Sequence, residues 1–286
     1  MTIFPCCKIN LGLNVISRRP DGYHDIETVF YPIPLRDALD VTVMGDDYPS
    51  DVPCDLLTKT AGDAGQVTEL LCPEQDNLVV KAYNILARDY RLPRVHAHLI
   101  KYIPSQAGMG GGSSDAAAMI LVLNDMFGLG MSTAQMQQYA ARLGADCAFF
   151  ITGQPAYATG IGEVLTPLDG GLPQLKGYHL ALVKPDVAVS TGKAYGMITP
   201  AKPDFCCRDV VTLPVTEWRG RLTNDFEGPV FEMHPELGAI KERLYQMGAD
   251  FAMMSGSGST LFGLFREEPV LPEDELQNCF TKVIKL

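Results

Sequence analysis

The segment Pro104-Ser-Gln-Ala-Gly108-Met109-Gly110-Gly111-Gly112-Ser113-Ser114-Asp115-Ala116-Ala117 has residue types and spacing suited to binding an anion. Four glycines in five residues let the backbone approach a ligand closely and take positive φ. A helix starting at Ser113 or Ser114 would end that loop with unpaired N–H groups and about half a positive charge. Phosphate is the usual occupant of such a site. Ser113 and Ser114 add hydroxyls that can bond phosphate oxygens or meet a metal. The spacing fits neither familiar phosphate loop. The Gly-Lys of Gly192-Lys193 is followed by Ala194, and Ser113 stands where a dinucleotide loop has its third glycine. A flexible turn between strand and helix is the plain alternative, but it requires neither paired serines at the helix start nor small alanines behind it.

Other candidates are weaker when read alone. Met254-Ser-Gly-Ser-Gly258-Ser259 could admit close backbone approach or simply form a hairpin. Lys8 sits in an apolar strand, where an edge lysine is ordinary. Asp146 could cap a helix, as could Asn77, and Tyr23-His24 could be a turn packed on a strand. His96-x-His98 shares one strand face, as a metal pair would, yet no third ligand is evident. Eight cysteines with adjacent pairs at Cys6-Cys7 and Cys206-Cys207, and no Cys-x-x-Cys, read as reduced thiols rather than a zinc site. His-Arg-Asp and Gly-x-Ser-x-Gly are both absent, which argues against a protein kinase and a serine hydrolase.

These residues need elements to hold them. Short β-branched runs predict strands over Cys7–Ser17, His24–Tyr31, Asp40–Met44, Glu69–Cys72 and Val95–Tyr102, with a turn at Gly62 and Gly65. Further strands are predicted at His179–Val183, Phe251–Met254, Thr260–Phe265 and Lys282–Leu286. Helical spacing predicts Asn77–Asp89, Ser113/Ser114–Phe127 with Asp115 in its first turn, Thr133–Leu143, Thr191–Ile198, Asn224–Met233, Pro235–Met247 and Glu273–Cys279. Ser132 and Gln135 have capping-box spacing, and Pro200–Pro214 is loop-rich. The fold class is α+β in two domains.

Composition bounds the function. At 286 residues the chain can bury a core without disulfide or metal staples. With 47% hydrophobic and 20% charged residues it is not a disordered chain. Its longest apolar run, Ala116–Leu123, is far short of the ~20 residues a membrane span needs. A net charge of −11 disfavours nucleic acid and anionic membrane as partners, but not a phosphate held by backbone N–H groups. The N-terminus has no signal-peptide pattern, so a cytoplasmic enzyme is expected, with no obligate protein partner evident.

Taken together, Cys7-Lys8-Ile-Asn10-Leu-Gly12-Leu13, Pro104–Ala117 and Met254–Phe265 resemble, in order, the three motifs of the GHMP small-molecule kinases (the galactokinase, homoserine kinase and mevalonate kinase superfamily). Arg19-Pro-Asp21-Gly22-Tyr23-His24, Asp76-Asn77-Leu78, Gly144-Ala145-Asp146, Asn224-Asp225-Phe226-Glu227 and Ser255-Gly-Ser-Gly258 are similar to a branch of that family. Its acceptor alcohol is a cytidine-diphosphate-linked methylerythritol of the non-mevalonate isoprenoid route.

The resemblance implies a ribosomal protein S5 domain 2-like N-terminal domain over 1–153 and a ferredoxin-like C-terminal domain over 154–286. It implies ATP as co-substrate with Mg²⁺, Lys8 and Asp146 as the catalytic residues, and ATP contacts from Asn77, Pro104, Ser105, Gln106, Ala107, Gly108, Met109, Gly110, Gly111, Gly112, Ser113 and Ser114. Asn10, Tyr23, His24 and Tyr195 would hold the acceptor, Tyr195 standing where the family often has another aromatic. The metal ligands stay unassigned. The alternatives are another kinase of the superfamily, of homoserine or mevalonate type, and a nucleotide-binding module without chemistry.

Overall fold

Val95-His-Ala-His-Leu-Ile-Lys101 alternates strictly between buried and half-buried positions, the period of a strand packed on one face. Repeated along the chain, such patterns give thirteen strands among the residues that the computed structural model describes, 1–61, 67–69, 74–272 and 274–286. They are β1 (Thr2–Ile3), β2 (Cys6–Arg18), β3 (His24–Arg36), β4 (Ala38–Val43), β5 (Cys54–Ala61), β6 (Val67–Glu69), β7 (Val95–Lys101), β8 (Ala156–Thr159), β9 (Val164–Pro167), β10 (His179–Pro185), β11 (Phe251–Met254), β12 (Leu261–Phe265) and β13 (Cys279–Lys285). The α-helices are α1 (Leu78–Ala87), α2 (Gly111–Met126), α3 (Thr133–Ala141), α4 (Cys147–Thr152), α5 (Thr191–Met197), α6 (Cys207–Val210), α7 (Glu227–Met233) and α8 (Pro235–Gln246).

The contacts group into two units. The first comprises Met1–Cys7, Pro34–Ser105 and Gly110–Gly153; the second comprises Lys8–Ile33, Gln106–Met109 and Gln154–Leu286. Gly153–Gln154, where the sequence suggests a boundary, is one of the points where the chain changes unit. Lys8–Ile33 groups with the second unit because Leu13, Val15 and Ile26 share a core with Phe226, Leu237 and Leu261.

The first unit is a five-stranded sheet, β1-β4-β7-β5-β6, in which β5 and β7 are parallel. That parallel pair needs a crossover, and the connection through α1 supplies it. Helices α1, α3 and α4 all pack on α2, whose Ala116–Ile120 run is buried on nearly every side. Alanines at its start allow that close approach. The second unit holds two four-stranded sheets, β2-β3-β8-β9 and the antiparallel β11-β12-β10-β13, with α5 to α8. The α+β expectation is met.

Local departures have local causes. Helix α2 starts at Gly111, earlier than expected, because Gly110 at φ 69° turns the chain without a side-chain cap. Ser113 and Ser114 therefore lie inside the helix, and Asp115 falls beyond its first turn. Of the helix expected over 273–279, residue 273 lies outside the described residues; 274–278 form turns and a bend, and Cys279 already pairs with Pro185 at the start of β13. Helix α7 begins only at Glu227, because Asn224 spends its side chain on the carbonyls of Met254 and Gly256. Strands β1, β5, β8 and β9 and helices α4 and α6 escaped the sequence reading, α6 being a single turn within Pro200–Pro214. The Ser132–Gln135 capping box forms as expected. Of the strand expected at Glu69–Cys72, only Glu69 is described, and the expected turn at Gly62 and Gly65 lies outside the described residues.

Candidate active site

In a strand, residues i and i+2 share a face, so Lys8 and Asn10 of β2 point the same way. Both are buried, and Lys8 Nζ donates to Asn10 Oδ1 at 2.6 Å. The ammonium also reaches the carbonyl of Gly108 at 3.3 Å and lies 4.9 Å from the centre of the Phe30 ring. Asn10 Nδ2 donates to Thr28 Oγ1 at 2.9 Å, which fixes the amide so that its oxygen faces the lysine.

Residues 106–109 are held against the turn between β11 and β12. Thr260 N–H donates to Ala107 O at 3.3 Å, and Ser255 Oγ donates to Gly108 O at 3.0 Å. Gly256 and Gly108 face each other so closely that a Cβ on Gly256 would lie 3.1 Å from the Gly108 carbonyl oxygen. The two small-residue motifs thus meet backbone to backbone, with Lys8 donating to the same Gly108 oxygen.

The geometry of Asp21-Gly22-Tyr23-His24 has a local cause. Gly22, at φ 88°, makes a turn closed by Gly22 N–H to Arg19 O and Arg19 N–H to Tyr23 O. Asp21 accepts from Tyr23 N–H at 3.1 Å and pairs with Arg19, which holds its carboxyl below the usual range. The turn leaves Tyr23 60% exposed and delivers His24 face to face onto Tyr195, with ring centres 4.7 Å apart and planes within 9°. Phe226 meets the edge of Tyr195 at 4.7 Å.

The first unit carries the rest. Asn77 is the N-cap of α1 and accepts from Val79 N–H at 3.0 Å, so its capping role is realised. Pro104 and Ser105 lead from β7 toward the glycines. Gly110–Gly112 form the opening of α2; Ser113 is half-buried there, and Ser114 is 2% exposed. Asp146 is the N-cap residue of α4, yet its carboxylate makes no capping bond. Beside it the Cys147 thiol is pushed up to about 11, chiefly by burial and further by Asp146, while a hydrogen bond with Ser113 opposes the rise. Ser113 and Asp146 therefore flank one thiol, which brings the start of α2 and this carboxylate into one neighbourhood. Among the described residues no three His, Cys, Asp or Glu cluster as a metal cage. A Mg²⁺ carried by nucleotide phosphates needs few protein oxygens, and the half-buried Ser113 hydroxyl suits it better than the enclosed Ser114.

Sequence reasoning missed a buried ion cluster in the same unit. Lys101, 5% exposed, pairs with Asp37 and, at 2.5 Å, with Asp115. The signal was available: Lys101 is in phase with Val95, Ala97 and Leu99, the inward face of β7. Asp115 Oδ1 is buried with no hydrogen-bond partner among the described residues. The Asp115 carboxyl is pushed up to about 7, chiefly by burial, against the opposing pull of Lys101 and with a further push from Asp37. Between about pH 4 and 7 the folded chain thus holds a proton here that the unfolded chain has released, so this group's contribution to stability falls as pH rises. Asp115→Asn should flatten the stability–pH profile in that window by up to about 1.4 kcal/mol per pH unit. Denaturant midpoints of both proteins at several pH values check this, and parallel profiles would refute it.

The family model for the GHMP kinases N terminal domain matches residues 77–154, and that for the GHMP kinases C terminal region matches 216–280. A Parabacteroides distasonis protein named 4-diphosphocytidyl-2-C-methyl-D-erythritol kinase is 48% identical over 281 residues, covering 98% of this chain and 97% of its own. A Bacteroides fragilis protein of the same name is 47% identical over 280 residues, with 98% and 97% covered. A crystal structure of 4-(cytidine 5'-diphospho)-2C-methyl-D-erythritol kinase aligns over 99% of this chain and 98% of that one, at TM-score 0.72 and 30% identity. The two family models, together with 48% identity along nearly the full length of both chains, make this chain a member of the GHMP kinase family.

Proposed function

We propose that the chain transfers the γ-phosphoryl group of ATP to the 2-hydroxyl of 4-diphosphocytidyl-2-C-methyl-D-erythritol, a step toward isoprenoid precursors. The observation that carries this reading is the 48% identity, over nearly all of both chains, to a kinase named for that substrate. The geometry supports it. The N-terminal turn of α2 offers N–H groups to phosphate oxygens, and a Gly111-Gly112 start keeps side chains out of their way. Asp146 would accept the hydroxyl proton as the new phosphorus–oxygen bond forms. Lys8 would orient the hydroxyl and stabilise charge on the group in transfer. Mg²⁺, when bound, neutralises phosphate charge; Ser113 would be its protein hydroxyl.

Cytosine recognition would fall to Tyr23, His24 and Tyr195, and Asn10, whose amide is held by Lys8 and Thr28, would meet another part of the acceptor. The exposed Tyr23 ring presents a π-face, and stacking is worth ~1–3 kcal/mol per base. We take the reaction to run in the cytoplasm: the seven described cysteines are all free thiols, as a reducing compartment maintains them. No described helix is long and apolar enough to cross a membrane.

The test is phosphoryl transfer from ATP-Mg²⁺ to the cytidyl acceptor, homoserine and mevalonate, read by mass, for wild type and Tyr23→Ala. We expect turnover of the cytidyl acceptor alone, with its KM raised about 5- to 150-fold in the variant, the factor that ~1–3 kcal/mol of stacking gives. Turnover of homoserine or mevalonate, unaffected by Tyr23→Ala, would favour the sister kinases. ATP binding without turnover of any acceptor would leave a nucleotide-binding module.

A further inference from the structure

Buried ion clusters are a poor source of stability, because desolvating the charges offsets most of their attraction. The trio Lys101–Asp37–Asp115 therefore needs a different account, and its position supplies one. Asp37 Oδ1 accepts the backbone N–H groups of Tyr102 at 2.5 Å and Ile103 at 2.8 Å, the two residues before Pro104. Asp37 Oδ2 pairs with Lys101, whose ammonium also pairs with Asp115 in the second turn of α2. The same ammonium lies close against the first residue of α2: a Cβ on Gly111 would stand 3.3 Å from Nζ. One cluster thus holds the chain on both sides of the glycine segment, at 102–103 before it and at 111–115 after it. Asp37 and Asp115 are 0% and 2% exposed, so water does not loosen the arrangement.

Resting on the reading of this segment as the cradle for the ATP phosphates, we propose that Lys101, Asp37 and Asp115 are positioning residues for the nucleotide. They fix the separation and direction of the two ends of the loop without touching ATP. Removing the clamp leaves the loop's own groups in place but no longer aimed. A backbone hydrogen bond to a charged phosphate that is no longer aimed costs about 10- to 100-fold in binding.

The experiment compares wild type, Lys101→Met, Asp115→Ala and Asp115→Asn, each well below its own melting temperature. ATP-Mg²⁺ binding is measured by calorimetry, binding of the cytidyl acceptor in the same preparations, and KM for each in turnover. Asp115→Ala and Lys101→Met should weaken ATP about 10- to 100-fold and leave the acceptor's affinity unchanged. Asp115→Asn keeps an oxygen for the Lys101 ammonium and should restore most of the ATP affinity. If Lys101→Met does not fold, the contrast between alanine and asparagine at 115 decides. Wild-type ATP affinity in a folded Asp115→Ala overturns the proposal, as does equal weakening of both ligands. A wild type that binds no ATP overturns the reading of the glycine segment itself, and the trio's role falls with it; the two failures are thereby distinct.

Discussion

Asp146→Asn should lose turnover by about 10²- to 10⁴-fold while ATP binding and thermal stability stay at their wild-type values. The size follows from the chemistry: an alcohol is a weak nucleophile, and the amide of asparagine cannot take its proton. The retained stability follows from the structure. Asp146 occupies the N-cap position of α4, where loss of a capping side chain typically costs ~1 kcal/mol, but here the side chain does not cap. Asparagine also matches it in size. Removing the charge relieves one of the causes that push the Cys147 thiol up, so that thiol should titrate lower in the variant. Thiol titration against pH thus offers a check of local geometry that does not depend on turnover. Steady-state kinetics, ATP calorimetry and a thermal melt decide the rest. A variant with near wild-type kcat would remove Asp146 from the chemistry, whereas a large drop in melting temperature would return it to a structural role.

The site was legible in sequence wherever chemistry demands an unusual residue type at a fixed spacing. The glycine segment announces itself, because clustered glycines weaken a fold unless a turn or a site requires them, whereas Lys8, Asn10 and Tyr23-His24 stand out only through the family resemblance. Legibility failed where a residue's role depends on partners distant in the chain. Lys101 meets Asp37 across 64 residues, and nothing local to either reveals the pairing. Asp115 read as a favourable charge for a helix start, yet Gly110 opened the helix early and left Asp115 one turn deeper, against Lys101. The direct stack of His24 on Tyr195 could not be read either, since the residues lie on β3 and α5 and are brought together by the fold. The same limit applies to the strands and helices. Strands with strong alternation, such as β7, were found to within a residue, whereas β8 and β9 are four residues each and form because β3 offers an edge to pair with.

Gly108→Ala should cost about 2–5 kcal/mol of stability and take most of the ATP affinity with it. Two effects add. Gly108 stands at φ 70°, a conformation that costs an L-residue roughly 1–2 kcal/mol. A methyl group there would also drive into the carbonyl oxygen of Ser255 and come within 3.1 Å of that of Gly258. Those atoms are backbone, so no side-chain rotation relieves the overlap, and overpacking of this kind typically costs about 1–3 kcal/mol. The functional loss comes from what must move. Gly108 O is the acceptor for both Ser255 Oγ and Lys8 Nζ, so separating loop from turn strips the ammonium of one partner and the serine of another. Gly128→Ala is the control: its φ is also positive, at 58°, but a Cβ there meets nothing within 4 Å. It should show the conformational cost alone and keep wild-type ATP affinity. Denaturant midpoints and ATP calorimetry on the two variants separate strain from contact. Equal losses in both would mean that the glycine segment and the Ser255–Ser259 turn do not rely on each other, and that the third motif acts on the nucleotide by another route.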